Sequence, residues 1–167
     1  SELIGTGGKF SDISVDDTAK GYLTPKEWHD ALENRKEGDS ILIDCRNTKE
    51  CQIGHFHQAL DPGTTTFAQF PKWVQDHSLE LKEKKVFMYC TGGIRCEKAS
   101  AFIRKHVPAV GEVQHLQGGI HKYLEEYGKD GLWKGKNFVF DGRAAASATE
   151  TKVGVEAAQE DSNNDDV

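Results

Sequence analysis

Two short, nearly unbroken apolar runs stand out from a chain otherwise rich in charge, residues 41–44 and 86–89, and residues 112–116 are a plausible third strand. Runs of that length are strands buried on both faces, because a half-exposed strand would alternate. Between them the apolar residues recur at helical spacing. Thr24, Pro25, Lys26 and Glu27 open the first helix: Thr24 caps it, Pro25 fits its first position and Glu27 closes a capping box. Trp28, Ala31 and Leu32 follow on one face, and the helix is expected to end near 36–38. Residues 67–76 put Phe67, Phe70, Trp73 and Val74 on one face, with Pro71 splitting the segment into two turns. Residues 96–107 align Ala99, Phe102, Ile103 and His106, and Gly118 and Gly119 lead into a last helix over 120–127.

Strands alternating with helices predict an α/β fold whose mainly parallel sheet carries helices on both faces. Ligands of such sheets bind beyond the carboxyl ends of the strands, here the loops 45–48, 90–96 and 117–119. Residues 1–19 show little periodicity and read as a flexible lead into a domain over 20–143. The stretch 144–167 has no aromatic residue and reads as a disordered acidic tail. That tail holds six carboxylates against Lys152, so most of the net charge of -6 lies in it and the body is close to neutral. No basic stripe argues for tRNA or another nucleic acid on charge alone, while a small anion remains compatible. No apolar run approaches the ~20 residues of a membrane span. Cys45, Cys51, Cys90 and Cys96 include no Cys-x-x-Cys pair, so reduced thiols in an intracellular, by default cytoplasmic, compartment are expected. A monomer is expected. No metal site and no cofactor is read: Cys51, His55 and His57 match no firm ligand spacing.

The chemistry concentrates in residues 88–96, which run from a buried strand through Cys90, Thr91, Gly92, Gly93, Ile94 and Arg95 into a helix near Cys96. A cysteine at that junction faces unpaired backbone N–H groups. Gly92 and Gly93 let these groups converge as a nest for an anion, which favours thiolate over thiol. Thr91 adds a hydroxyl and Arg95 a cation.

This loop resembles that of the rhodaneses, in which a catalytic cysteine opens a six-residue loop closed by arginine. Asp44, Cys45 and Arg46, then Glu50, then Gly54, His55, Phe56 and Ala59 resemble that family's signature as well. Segments 90–98, 118–126 and 138–143 are similar to the rhodanese domain of the tRNA uridine hydroxylases, and the resemblance spans about residues 20–143. It implies a rhodanese-like sheet of about five strands. It also implies a sulfurtransferase that moves a sulfane sulfur, through a Cys90 persulfide, from a donor such as thiosulfate to a thiol or cyanide. Cys90 would be the nucleophile, Thr91 to Cys96 the substrate-binding cradle, and Arg95 the attractor of the anionic donor. Asp44 and Arg46 would form a stabilising ion pair, with Glu50 and His55 as support. The hydroxylase relatives carry a further N-terminal domain and a cysteine-rich stretch after the 138–143 motif, both lacking here. Sulfur transfer is therefore the expected activity, with tRNA hydroxylation and a non-catalytic binding module as alternatives.

A cysteine phosphatase would need arginine six residues after Cys90, where Cys96 stands; the shorter ring fits a sulfur atom better than a phosphate. Cys96 is also a candidate resolving thiol, although a side chain on a first helical turn is free to point away. Cys45 and Cys51 read as packing residues, Glu97 as a complement to the helix dipole, and the aromatics from Phe67 to Trp73 as core.

Overall fold

The structure, a computed structural model, describes residue 10 and residues 12–136. The acidic tail and the 138–143 motif lie outside the described residues. Four parallel strands form the sheet: β1 (Tyr22–Leu23), β2 (Ser40–Asp44), β4 (Lys85–Tyr89) and β5 (Val113–Leu116), in the order β1-β5-β4-β2. The fifth strand expected is reduced to a single parallel bridge from Leu60 to Ile43. A separate antiparallel ribbon pairs β3 (Gly54–Phe56) with β6 (Trp133–Gly135). Ribbons this short carry too few residues for periodicity to reveal them.

Period-two alternation divides the sheet between two cores. Ile43, Val86, Met88 and Val113 face α4 (Phe70–Asp76) and α6 (Ile94–His106), meeting Val74, Ala99, Phe102 and Ile103. Leu42, Phe87, Tyr89 and Leu116 face α2 (Pro25–Glu33) and α7 (Gly119–Tyr127), meeting Trp28, Ile120 and Tyr123. The capping box at Thr24 forms as expected: Glu27 N donates to Thr24 Oγ1 at 3.2 Å and Thr24 N to Glu27 Oε1 at 2.9 Å. α2 stops at Glu33, short of the expected 36–38, because Asn34 turns back and its backbone and side-chain nitrogens both bond the Asp30 carbonyl. The 67–76 segment splits into a 3-10 turn (Phe67–Gln69) and α4, with Pro71 in the first turn of α4. Two short helices escaped the periodicity: α3 (Thr48–Ile53) and α5 (Ser78–Leu81).

Part of the segment expected to be loose packs on the domain. Phe10 is buried against Phe67 and Phe102, and Asp12 bonds His106 at 2.9 Å. Between Asp12 and β1, Ser14 and Asp17 cap one helical turn, α1 (Val15–Thr18).

The carboxyl ends of β2 and β4 are locked by one buried network. Asp44 pairs with Tyr89 in the strand register. The Asp44 carboxylate accepts Arg46 Nε at 2.9 Å, Arg46 Nη2 at 2.7 Å and the Tyr89 hydroxyl at 2.6 Å. Arg46 also donates to the Gly54 carbonyl at 2.7 Å, while Phe56 N donates to the Tyr89 hydroxyl at 3.2 Å. Two strand ends and the β3 ribbon thus share one carboxylate. Replacing Arg46 with Met should cost about 3–5 kcal/mol, since it strands Asp44 in the interior. Urea unfolding measures this, and a loss below about 1 kcal/mol would show the pair to be dispensable.

Candidate active site

β4 delivers Cys90 to the mouth of a tight loop, and α6 begins four residues later at Ile94. The loop is shaped from outside by α7. Ile120 N donates to the Cys90 carbonyl at 3.0 Å and His121 N to the Thr91 carbonyl at 3.2 Å, so these carbonyls turn toward α7. Gly119 makes that approach possible: a Cβ there would stand 2.3 Å from the Thr91 oxygen and 2.7 Å from the Cys90 oxygen. On the inner side, Gly93 takes φ +95°, a left-handed conformation that favours glycine, and its N–H donates to Cys90 Sγ at 3.2 Å. The Cys96 N–H reaches the same sulfur. Two N–H groups of the expected cradle therefore hold the sulfur directly.

Burial alone would raise the Cys90 pKa, since the residue is 1% exposed. The Cys96 thiol, the Arg95 charge and the N–H groups of Cys96 and Gly93 outweigh that penalty and bring it down to about 7. The other three cysteines go the opposite way. Cys45 and Cys96 are pushed up by burial and then by the Cys90 charge beside them, and Cys51 by burial and Asp44. Of these four buried thiols, Cys90 alone is shifted toward the thiolate.

Arg95 lies 3.4 Å from Glu50 through Nη1 and 3.4 Å from Thr91 Oγ1 through Nη2. Its charge acts on Cys90 while its fork is engaged within the site, and Thr91 accepts rather than donates in that contact. Glu50, expected to be structural support, also caps α3 by accepting Asn47 N at 3.1 Å, so it joins that helix to the loop. Gly92 and Ile94 form the exposed rim. Asp44 and Arg46 lie buried behind the loop. His55 sits elsewhere: its Nδ1 lies 3.0 Å from the Phe56 carbonyl, and it lines a half-open cleft with Asp44, Cys51, Gln52, Ala59 and Asp61.

Of the three loops expected to meet, 90–96 and 117–119 do so directly, with Gly93 packed against Gly118. The 45–48 segment contributes through Cys45, whose N–H bonds the Tyr89 carbonyl at 2.9 Å. The Gly118-Gly119 doublet was a visible signal of close backbone approach. Its target, the outer edge of the cysteine loop, had none.

Two measurements check this geometry. Alkylation of Cys90 by a small haloacetamide should rise with pH about a midpoint near 7, against about 8.5 for an ordinary thiol. Arg95→Ala should move that midpoint upward, because the thiolate loses its nearest cation. Gly119→Ala, at φ +68° and against two carbonyl oxygens, should displace the loop and raise the midpoint further. An unchanged midpoint in both variants would refute the role assigned to the loop's surroundings.

Comparison with known proteins agrees with this fold. The rhodanese-like domain family matches residues 26–126. The tRNA uridine(34) hydroxylase of Rickettsia prowazekii is 45% identical over 137 residues, covering 81% of this chain and 53% of that protein. The hydroxylase of Mesorhizobium japonicum is 46% identical over 137 residues, covering 81% and 43%. The chain thus spans about half the length of these curated relatives. Among solved structures, a rhodanese-like domain from Anabaena superposes with a TM-score of 0.53 at 18% identity, over 70% of this chain and 80% of that one. The human single-domain sulfurtransferase gives 0.50 at 18% identity, over 64% and 97%, a likeness of fold alone. These relatives correct the expected thiosulfate-type sulfur transfer: the proteins alike in sequence are hydroxylases, and the sulfurtransferase shares only the fold. By the match over 26–126 and the architecture around Cys90, the chain belongs to the rhodanese-like domain family.

Proposed function

We propose that this chain is the catalytic part of a tRNA uridine(34) hydroxylase, an enzyme in which Cys90 is the reacting nucleophile. The observation that carries the reading is 44–46% identity to proteins of that name over 81% of the chain. An alignment of 137 residues within a chain of 167 necessarily includes the loop from Cys90 to Cys96.

The site's chemistry supports it. The cradle holds sulfur as an anion close to neutral pH, and a thiolate is the nucleophilic form of cysteine. Thr91 to Cys96 form the wall against which the base would be presented, Arg95 and Glu50 fix the charge beside the sulfur, and Gly92 and Ile94 line the approach. An RNA partner does not require the whole domain to be basic. Arg95 stands on the loop beside Cys90, and the stem of Lys122 lies against Gly118, so this end of the sheet carries cations that a phosphate could meet. Among the described residues no helix is long and apolar enough to cross a membrane.

The test is complementation of a bacterial strain lacking its own uridine(34) hydroxylase, with tRNA nucleosides read by mass spectrometry. The chain should restore a uridine heavier by one oxygen at position 34, and Cys90→Ser should abolish it. Persistence of that nucleoside in the Cys90→Ser strain would overturn the reading. So would failure of the folded, expressed wild-type chain to restore it.

A further inference from the structure

Cys96 has a place in this site to which the proposed hydroxylation assigns no bond-making step. It is the third residue of α6, and helical Cα–Cβ bonds tilt toward the helix amino end, so its side chain points back into the loop. Its Sγ lies 3.3 Å from the Gly93 carbonyl oxygen, while the Gly93 N–H lies 3.2 Å from Cys90 Sγ. Two sulfurs bracket a single glycine, both are buried, and each bears on the ionisation of the other.

We propose that Cys96 is a resolving thiol, and that the Cys90–Cys96 pair reacts with hydroperoxides to form a reversible intraloop disulfide. The inference rests on Cys90 being a thiolate and is independent of tRNA as substrate. In the first step the Cys90 thiolate attacks the terminal oxygen of the peroxide. An S–O bond forms, the O–O bond breaks, and the departing alkoxide or hydroxide takes a proton. Sulfur is oxidised by two electrons and the peroxide is reduced by two, leaving a sulfenic acid. In the second step the Cys96 sulfur attacks that sulfur and its proton passes to the leaving hydroxyl. The S–S bond forms, the S–O bond breaks and water departs. A dithiol returns two electrons and two protons and restores both thiols.

Cys45 is the competing partner. Parallel pairing of Asp44 with Tyr89 carries it alongside Cys90, on the same side of the sheet. Cys45 is tied to the strand end through its N–H on the Tyr89 carbonyl, however, whereas the Cys96 and Cys90 sulfurs both sit on the backbone of Gly93. A sulfur seated on the same glycine as the reacting atom has the shorter path to it. Joining Cys90 to Cys96 would consume the nucleophile reversibly, and would keep it from the irreversible sulfinic state.

The test is peptide mapping of the wild-type chain under non-reducing conditions, after brief treatment with hydrogen peroxide at neutral pH. A cross-linked species lighter by about 2 Da, joining Cys90 to Cys96 and reversed by dithiothreitol, is the expected result. In Cys96→Ser and in Cys96→Ala this species should vanish, and Cys90 should instead gain about 32 Da as sulfinic acid. A link from Cys90 to Cys45 in the wild type would overturn the proposal. So would direct passage of wild-type Cys90 to the sulfinic state with no disulfide. Neither readout involves tRNA, so loss of the hydroxylase reading would leave this result standing.

Discussion

The buried pairing of Asp44 with Arg46, sealed by the Tyr89 hydroxyl, is the interaction on which the site depends. A carboxylate and a guanidinium removed from water cost several kcal/mol each in desolvation unless their geometry is close to ideal. Here the contact is bidentate, Arg46 Nη2 also donates to the Gly54 carbonyl, and Asp44 also accepts the Tyr89 hydroxyl. Its consequence is positional. Tyr89 is the last residue of β4 and Cys90 the next, so the network that holds the strand end also sets where the Cys90 sulfur emerges.

From that fixed start, reactivity is a contest between burial and donors. A wholly buried thiol would ordinarily remain protonated, as Cys45, Cys51 and Cys96 do. Cys90 differs because several weak effects converge on one sulfur: a helix start, a left-handed glycine, a neighbouring thiol and a nearby guanidinium. None of these groups is unusual alone. Their convergence requires the Cys90 and Thr91 carbonyls to be held outward, and the first turn of α7 supplies that from the far side of the loop. The loop is a joint construction of β4, α6 and α7.

A rhodanese-like scaffold of this kind does not dictate which reaction follows. This chain shares its fold with the human sulfurtransferase at 18% identity and much of its sequence with the hydroxylases at 45–46%. A short loop that cradles anionic sulfur is a general device for presenting a nucleophile. Its length argues against phosphate, but does not separate sulfur transfer from base hydroxylation. What favours hydroxylation over sulfur transfer is similarity along most of the chain to proteins named hydroxylases.

The residues themselves determined whatever is local in cause. β2 and β4 appeared as apolar runs, α2 announced itself through the Thr24 capping box, and Cys90 was marked by the glycines and arginine that follow it. Periodicity, capping and loop length act over a few neighbours, so one sequence suffices to read them. Tertiary structure alone decided the rest. The two-residue β1 and the three-residue β3 and β6 exist because partners meet them from far along the chain. The grip of Glu50 on Arg95 spans 45 residues, and the closure of α7 over Cys90 spans 30. Cys96 could have faced any direction on paper. The tilt of a helical side chain and the packing of α6 set it on the Gly93 carbonyl, the same glycine whose N–H holds Cys90, and ionisation follows such distances in space, not spacing along the chain.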